Sequence, residues 1–498
     1  MASEIRVNKI ENRSGLGTVT FADTGVDLAG IVTATTFSGS GASLTNIPDS
    51  ALSAVTASKL TGALPAISGA NLTGIAATDN VRTGILDVAG ISTFRNTVNI
   101  GAAVTISESG IEASGIGITV ANINGEQIGG RRNIIINGAM NVAQRATSSS
   151  TATAGYHTVD RFRYAIGGHD EGATHAQVDV ASGTSPYQSG FRKAYKITNG
   201  NQTSGAGSSD YIQIDYYVEA QDVANSGWEI TNPNSFLTFS FWMKSSVSQF
   251  FTFAIRCKDG TEQVINFKTP VLSADTWTKV IKRIPGNSNL TVNNDNGQGL
   301  QFMFFPFIGT DYSTVGLAED TWSSWASAKH AVPNTTTWWT TNDSTWEITG
   351  LQLEVGTEAT PFEHRSFTDE LALCQRYYYK STQYSYTIQN PIDSAQTVDG
   401  DGFLGWVFYN NTSCRSPHYN HPVEMRATPT VNFYSSDRVA SPSDGKMALY
   451  TLSAWVNLSS NTATVNTRRL AIKGLSATSF SPAQVYLIGG GFECGAEL

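Results

Sequence analysis

Between residues 211 and 355 the apolar side chains come in short runs, not in the long stripes of amphipathic helices. The runs are Tyr211–Val218, Phe236–Met243, Phe250–Arg256, Gln263–Phe267, Trp277–Arg283, Leu300–Phe305 and Trp346–Val355, and Gly, Pro and Asn punctuate the intervals. Within 236–242, Phe236, Thr238, Ser240 and Trp242 alternate with Leu237, Phe239 and Phe241, a period of two that marks strand rather than helix. Many short strands without intervening helical patterns predict an antiparallel sandwich, here a jelly roll. One helix follows. Ser366 or Thr368 can cap it, Asp369 and Glu370 occupy a first turn favourable to the helix dipole, and Leu371, Cys374 and Tyr378 share a face, so it is expected to end near Tyr379. Strand-like runs return at Asp401–Tyr409, Ala448–Val456 and Val485–Ile488, separated by long polar loops, and predict a small β domain over 380–498.

The leading quarter is different. Residues 1–155 hold no Trp and no Tyr, although the chain has 10 and 18 of them, and the aromatics of the first 130 positions are Phe21, Phe37 and Phe94. Gly, Ala, Ser, Thr, Ile and Val fill this zone, with loose echoes: Gly30–Phe37 with Gly90–Phe94, and Leu44–Pro48 with Leu60–Pro65 and Leu72–Ile75. β-Branched residues alternate with small ones at Val98–Ile100 and Val104–Ile106. A segment so poor in bulk cannot easily offset its chain entropy with an interior of its own. Three identical chains wound together would cover each other's apolar faces, giving a thin β-rich shaft of at most roughly 400 Å at about 3.3 Å per residue. A Gly/Ser linker is the alternative, against which the recurring Ile, Val and Leu argue. The expected organisation is a shaft over 1–130, a sandwich over 131–366, a connecting helix over 367–379 and a tip over 380–498.

Composition narrows the function. The chain of 498 residues carries 40% hydrophobic and only 15% charged residues, which excludes a disordered polymer. Its net charge of −9 spreads as −4, −4 and −1 over 1–130, 131–365 and 366–498, so no zone is a basic nucleic-acid reader. Cys257, Cys374, Cys414 and Cys494 are far apart and form no CxxC, which points away from zinc and from a disulfide framework. The charged opening segment lacks the apolar stretch of a signal peptide, and no run approaches a membrane span of about 18–20 residues; synthesis in a cytoplasm without membrane insertion is expected.

No nucleophile elbow, phosphate loop, zinc helix or dinucleotide fingerprint occurs. His418 and His421 have a spacing that can serve one metal, but no third ligand is near and a turn between Pro417 and Pro422 is the simpler reading. Asn293–Gly297 and Asp399–Gly402 offer oxygens without completing an EF-hand loop, so hairpin turns are expected there, and His169–Glu171 reads as a solvated loop. No metal and no cofactor are therefore expected. A glycosidase needs two carboxylates across a cleft, which sequence spacing cannot test, so a depolymerase stays open. Aromatics in polar loops point instead to carbohydrate contact, since sugar C–H faces stack on Trp and Tyr while Asn, Asp and His meet the hydroxyls. Trp322, Trp325, Trp338 and Trp339 sit among Ser, Thr and Asn, unlike the core-type Trp242; in the last domain Tyr384, Tyr386, Tyr409, His418, Tyr419 and His421 keep similar company. For each alone, burial or edge packing is the competing reading.

Asn133–Arg145 with Thr158–Phe162, then Phe241–Lys244, Leu351–Gly356, Ala359–Ser366 and Glu370–Tyr378, resemble in this order a carbohydrate-binding-module-like jelly roll of phage tail fibres. They bracket almost all of 131–379. The first 128 residues are similar to amino-terminal segments of fibres from cyanobacterial myophages, and Pro422–Pro429 with Cys494–Leu498 resemble the tip domain that follows the helix, although that family more often has Asp where Cys494 and Gly495 stand. The resemblance implies a non-enzymatic homotrimeric fibre of the virion, its amino end on a tail baseplate protein and its carboxyl end towards host-surface polysaccharide such as lipopolysaccharide O-antigen. Weak sites multiplied over three tips would gain about 10²–10⁴ in avidity. The rivals are a tailspike-like depolymerase, a fibre of a non-viral contractile injection system, and a surface adhesin, the last disfavoured by the missing export signal.

Overall fold

The computed structural model describes residues 132–389, 391–393, 403–440, 442, 445–450, 454–476 and 485–498, together with 8–11, 18–23, 25–29, 31–33, 35–36, 38, 45–46, 105–107 and 110–112 of the leading quarter. Two compact units divide the chain, Met1–Glu112 and Ala113–Leu498. The echoes at 60–65, 72–75 and 90–94, the alternation at 98–100 and the Asp399–Gly402 turn lie outside the described residues, as does much of the echo at 44–48.

In the first unit Lys9–Glu11, Thr18–Ala22 and Gly25–Ala29 form an antiparallel three-stranded sheet. Its register lines up Ile10, Val19 and Leu28 across the strands. In this row Ile10 is 52% exposed and Leu28 43%, and Val19 between them is half-buried.

The second unit contains the sandwich. One sheet, here the front sheet, runs Trp322–Ser324, Gln263–Lys268, Thr252–Cys257, Gln298–Ile308, Tyr211–Glu219, Phe162–Gly167. The back sheet runs Thr278–Pro285, Phe236–Ser245, Thr345–Val355, Lys193–Thr198, Thr174–Asp179, Ser148–Ser149. Every pairing is antiparallel, and the two sheets make a jelly-roll sandwich of the kind the strand pattern predicts. The period of two decides which side chains meet between the sheets. Leu237, Phe239, Phe241 and Met243 point inward from the back, and Ile212, Ile214, Tyr216 and Val218 from the front. Phe239 lies 4.8 Å from Phe302 and Phe241 lies 5.3 Å from Phe253, ring centre to ring centre across the layers. Each such ring contributes about 1.5–3 kcal/mol by leaving water.

Ser366 caps the helix Phe367–Gln375, accepting the Asp369 amide at 3.1 Å. The helix stops short of the expected Tyr379: Tyr378–Lys380 is already a strand, because its backbone pairs with Gly491–Gly495. Gly491–Gly495 in turn pairs with Thr430–Tyr434. A second sheet of the tip joins Arg469–Leu475, Ser413–Arg415, Phe403–Phe408, Val485–Gly489 and Ala448–Tyr450. The single strand expected over 448–456 is instead a pair, with Ala448–Tyr450 antiparallel to Trp455–Asn457. Cys414, Met447, Leu470, Ile472, Ile488, Phe492 and Cys494 fill the tip's core, where the Cys494 thiol faces apolar neighbours. All four cysteines are buried and unbridged.

Candidate functional site: an aromatic groove on the front sheet

The strand Tyr211–Glu219 shows how the groove arises. Its even positions enter the core, so Tyr211, Gln213, Asp215 and Tyr217 face outward. The neighbouring strand sets Gly167, Ala165 and Arg163 opposite Tyr211, Gln213 and Asp215. Gly167 matters: a Cβ there would lie 2.6 Å from the Tyr211 ring, so only glycine lets that ring lean over the sheet. From the other side the segment after Ile308 folds back over Ala254, Val264, Met303 and Phe305, and brings Tyr312 and His330 with it. Tyr211 and Tyr312 meet edge to face at 5.5 Å, and His330 lies 5.7 Å from Tyr312 and 4.4 Å from Trp325. These groups enclose a cavity of about 270 Å³ lined by Arg163, Tyr211, Gln213, Tyr312 and His330.

The floor beside the cavity is a polar network. Asp215 accepts from Arg163 Nη1 at 2.9 Å, Gln213 Nε2 at 2.6 Å and Gln301 Nε2 at 3.0 Å. Burial raises the Asp215 carboxyl above its ordinary range despite these donors. Burial, helped by the nearby Arg256 charge, pushes the His330 imidazole down to about 4, so the ring is neutral at physiological pH and can accept as well as donate. The groove therefore offers two phenol rings, a neutral imidazole and an oriented guanidinium: stacking surface plus donors and acceptors for hydroxyls.

The aromatics singled out in the sequence are distributed otherwise. Trp338 and Trp339 are fully buried between the sheets, with their indole N–H groups donating to Thr345 O and Gly205 O at 2.9 Å each. Trp322 is buried and donates to Pro285 O at 2.7 Å. None of the three presents a face to a ligand: Trp322 opens an edge strand and Trp338 and Trp339 lie in the short helix Thr337–Thr340, and their indoles turn inward while most of the polar neighbours stay outside. Trp325 is half-buried under the Arg256 guanidinium, 3.6 Å above its ring. Trp242 reverses the expectation too. It belongs to the outer face of the back sheet and is half-buried there.

In the tip, Tyr409 is exposed and borders an open cavity of about 520 Å³ with Val407, Arg415 and Pro417. His418 is exposed, Tyr419 packs on Phe492, and His421 is buried with Nε2 3.2 Å from Asn466 O. Tyr384 and Tyr386 use their hydroxyls on the Ala143 and Asp393 amides, at 2.8 and 3.0 Å, so they hold segments together. The structure thus scatters these six residues over the tip and its seam with the sandwich. Asp170 and Glu171 clasp a facing loop through Ser204 and Asn201, and the Asp259 carboxylate holds the Asn293 amide at 2.8 Å. Among the described residues no three His, Cys, Asp or Glu side chains gather as metal ligands.

The groove residues Arg163, Tyr211, Gln213, Tyr312 and His330 were not among the sequence candidates. The alternation in Tyr211–Val218 carries a signal, since its outward set is aromatic and polar. Only the topology joins that set to positions 163, 312 and 330.

No protein-family model matches the sequence, and no curated protein matches it. Among solved structures, the chain is similar to the enzymatically active domain of bacteriophage CBA120 tailspike protein 4, at 8% identity and a TM-score of 0.24, over 45% of this chain. That overlap spans 21% of the tailspike chain, about a fifth of its length. It is also similar to a sugar binding protein from Bacteroides thetaiotaomicron VPI-5482, at 11% identity and a TM-score of 0.24, over 45% of this chain and 100% of that one. A third likeness is to TmCBM61 in complex with β-1,4-galactotriose, at 10% identity and a TM-score of 0.22, over 46% and 100% of the two chains. At these values the likenesses transfer no ligand and no activity.

Proposed function

We propose that this chain is a structural, non-enzymatic tail fibre of a phage whose sandwich recognises host-surface polysaccharide. The observation that carries the reading is the front-sheet groove, where Tyr211 and Tyr312 offer ring surface beside Arg163, Gln213 and a neutral His330. Its volume, about 270 Å³, lies near the lower end of small-ligand sites, about 300–1,000 Å³, and suits one or two sugar rings. None of the described residues lining it is a carboxylate, and the adjacent Asp215 is buried and held by three donors. Glycoside hydrolysis ordinarily uses two carboxyl groups flanking the bond, which supports binding over cleavage. The exposed Ile10 and Leu28, aligned across the first sheet, support assembly with sister copies, three in the fibre reading. In that reading the leading segment attaches to the baseplate and the virion is where the protein acts.

The test is retention of the full chain on immobilised O-antigen polysaccharide, with assay of new reducing ends. The expected result is retention of the wild type, loss in the double variant Tyr211→Ala, Tyr312→Ala, and no accumulation of reducing ends. Unchanged retention of the double variant, or sustained release of oligosaccharide, contradicts the proposal.

A further inference from the structure

The back sheet carries a second recess, on the face of the sandwich away from the core and built from different strands. With Leu237, Phe239 and Phe241 turned inward, Ser240 and Trp242 face outward. The edge strand places Lys279 directly opposite Trp242. On the other side the pairing with Thr345–Val355 shifts register between Ser240 and Trp242, a bulge that contains Gly350 at φ +68°. A Cβ at Gly350 would lie 2.6 Å from the Phe191 ring, so the glycine admits Phe191 as a wall. Phe362 meets Phe191 edge to face at 4.8 Å and closes that side. The enclosed volume is about 320 Å³. Bulges of this kind re-aim side chains next to functional sites.

Of the polar groups lining the recess, Ser189, Thr360 and His364 are engaged within the protein, while three others are unspent. Ser240, 4% exposed as a residue, keeps its hydroxyl open to the recess, and among the described residues neither it nor the Trp242 indole N–H nor the Lys279 ammonium has a hydrogen-bond partner. By contrast Trp322, Trp338 and Trp339 all spend their N–H groups on carbonyls. The carboxylates on the outer side of the adjacent strand are engaged: Glu347 pairs with Lys244 at 3.0 Å, and Glu354 accepts from the Thr360 amide at 2.9 Å. Among the described residues Lys279 is thus a positive charge without a counter-ion, beside an aromatic face and two free hydroxyl-binding groups.

We propose that this recess is a second saccharide subsite, selective for an acidic sugar residue. Trp242 supplies the stacking surface, Ser240 and the Trp242 N–H meet hydroxyls, and Lys279 pairs with the sugar carboxylate. The choice of a saccharide rests on the reading of the sandwich given above; the preference for an acid rests on Lys279 alone. The experiment titrates the full chain with trigalacturonate and with the same trisaccharide after reduction of its carboxyls, following tryptophan fluorescence and heat. The acid trimer is expected to bind more tightly than the reduced one. Lys279→Gln, a change at an exposed edge position, is expected to weaken the acid trimer about tenfold, the scale of one charge-assisted contact, and to leave the reduced trimer unchanged. Trp242→Ala abolishes binding at this site, while Tyr211→Ala with Tyr312→Ala leaves the acid trimer bound. Absence of trigalacturonate binding, equal affinity for the two trimers, or wild-type binding by Lys279→Gln and Trp242→Ala overturns the proposal. Loss of O-antigen retention in the tyrosine variant is read independently, so failure of one site is distinguishable from failure of the other.

Discussion

His175 is enclosed between the sheets, with its ring stacked 4.3 Å from Tyr164 and Thr158 Oγ1 3.2 Å from Nδ1. Burial, reinforced by the neighbouring His157, pushes its pKa down to about 4 from the 6.5 of a free imidazole. The folded state therefore holds His175 neutral while the unfolded chain protonates it. Stability is full above pH of about 6.5 and falls as the pH drops towards 4, by about 3 kcal/mol in total. Urea melts between pH 7 and 4 should show this loss in the wild type and a flatter profile in His175→Phe; identical profiles would contradict the assignment. The same scale explains which tryptophans were misplaced by their sequence neighbours. In a strand the residues on either side of Trp242 occupy the opposite face, so Phe241 and Met243 report on the core and say nothing of the indole between them. Around the short helix Thr337–Thr340 the reverse holds: Thr335–Thr337 and Thr340–Thr341 are wet because Trp338 and Trp339 take the interior.

At the scale of elements, the motifs that carry the resemblance turn out to be the joints of the fold. Asn133 accepts the Ile135 and Leu353 amides and donates to Leu351 O, while Asn137 ties the Val142 backbone to the Asp160 carbonyl. Arg376 grips Glu219 through Nε and Nη2, at 2.7 and 2.8 Å, and Tyr377 donates to the same carboxylate. Burial alone would raise the Glu219 pKa, but the donors from Arg376 and Tyr377 outweigh it and hold the carboxyl below its ordinary range. The stability from this clasp is present above the unfolded pKa and is lost as pH falls through the lowered folded one. Glu219→Ala, which strands Arg376 and the Tyr377 hydroxyl, should cost about 3–5 kcal/mol in urea unfolding at pH 7. A cost under about 1 kcal/mol would show that the clasp is dispensable. The strands with a clean alternation, such as Phe236–Ser245, could be read in the sequence. Lys193–Thr198 could not, because Ala194 packs on the outer apolar cluster while Tyr195 and Ile197 enter the core, so both faces are apolar. Thr174–Asp179 is mostly polar, with Ala176 and Val178 only half-buried, and its one fully buried side chain is His175.

For the whole molecule, the distribution of bulk along the chain predicts a leading zone that cannot easily close its own interior. In the described part of that zone Ile10 and Leu28, aligned through Val19, are exposed. If sister copies cover the row, light scattering of the full chain gives three times the 53.3 kDa of one copy, and Ile10→Asp with Leu28→Asp lowers it. A monomeric mass for the wild type would remove the assembly from the account. The grooves were harder to foresee, since each gathers residues from strands more than a hundred positions apart in the chain, and sheet order is set by packing rather than by any local signal.

The most direct measurement is hydroxyl-radical footprinting of the full chain with and without bound O-antigen polysaccharide. The account predicts that labelling of Tyr211 and Tyr312 falls on binding, while that of Tyr409 and His418 in the tip is unchanged. Protection confined to Tyr409 and His418, with Tyr211 and Tyr312 labelled as in the free protein, would contradict it.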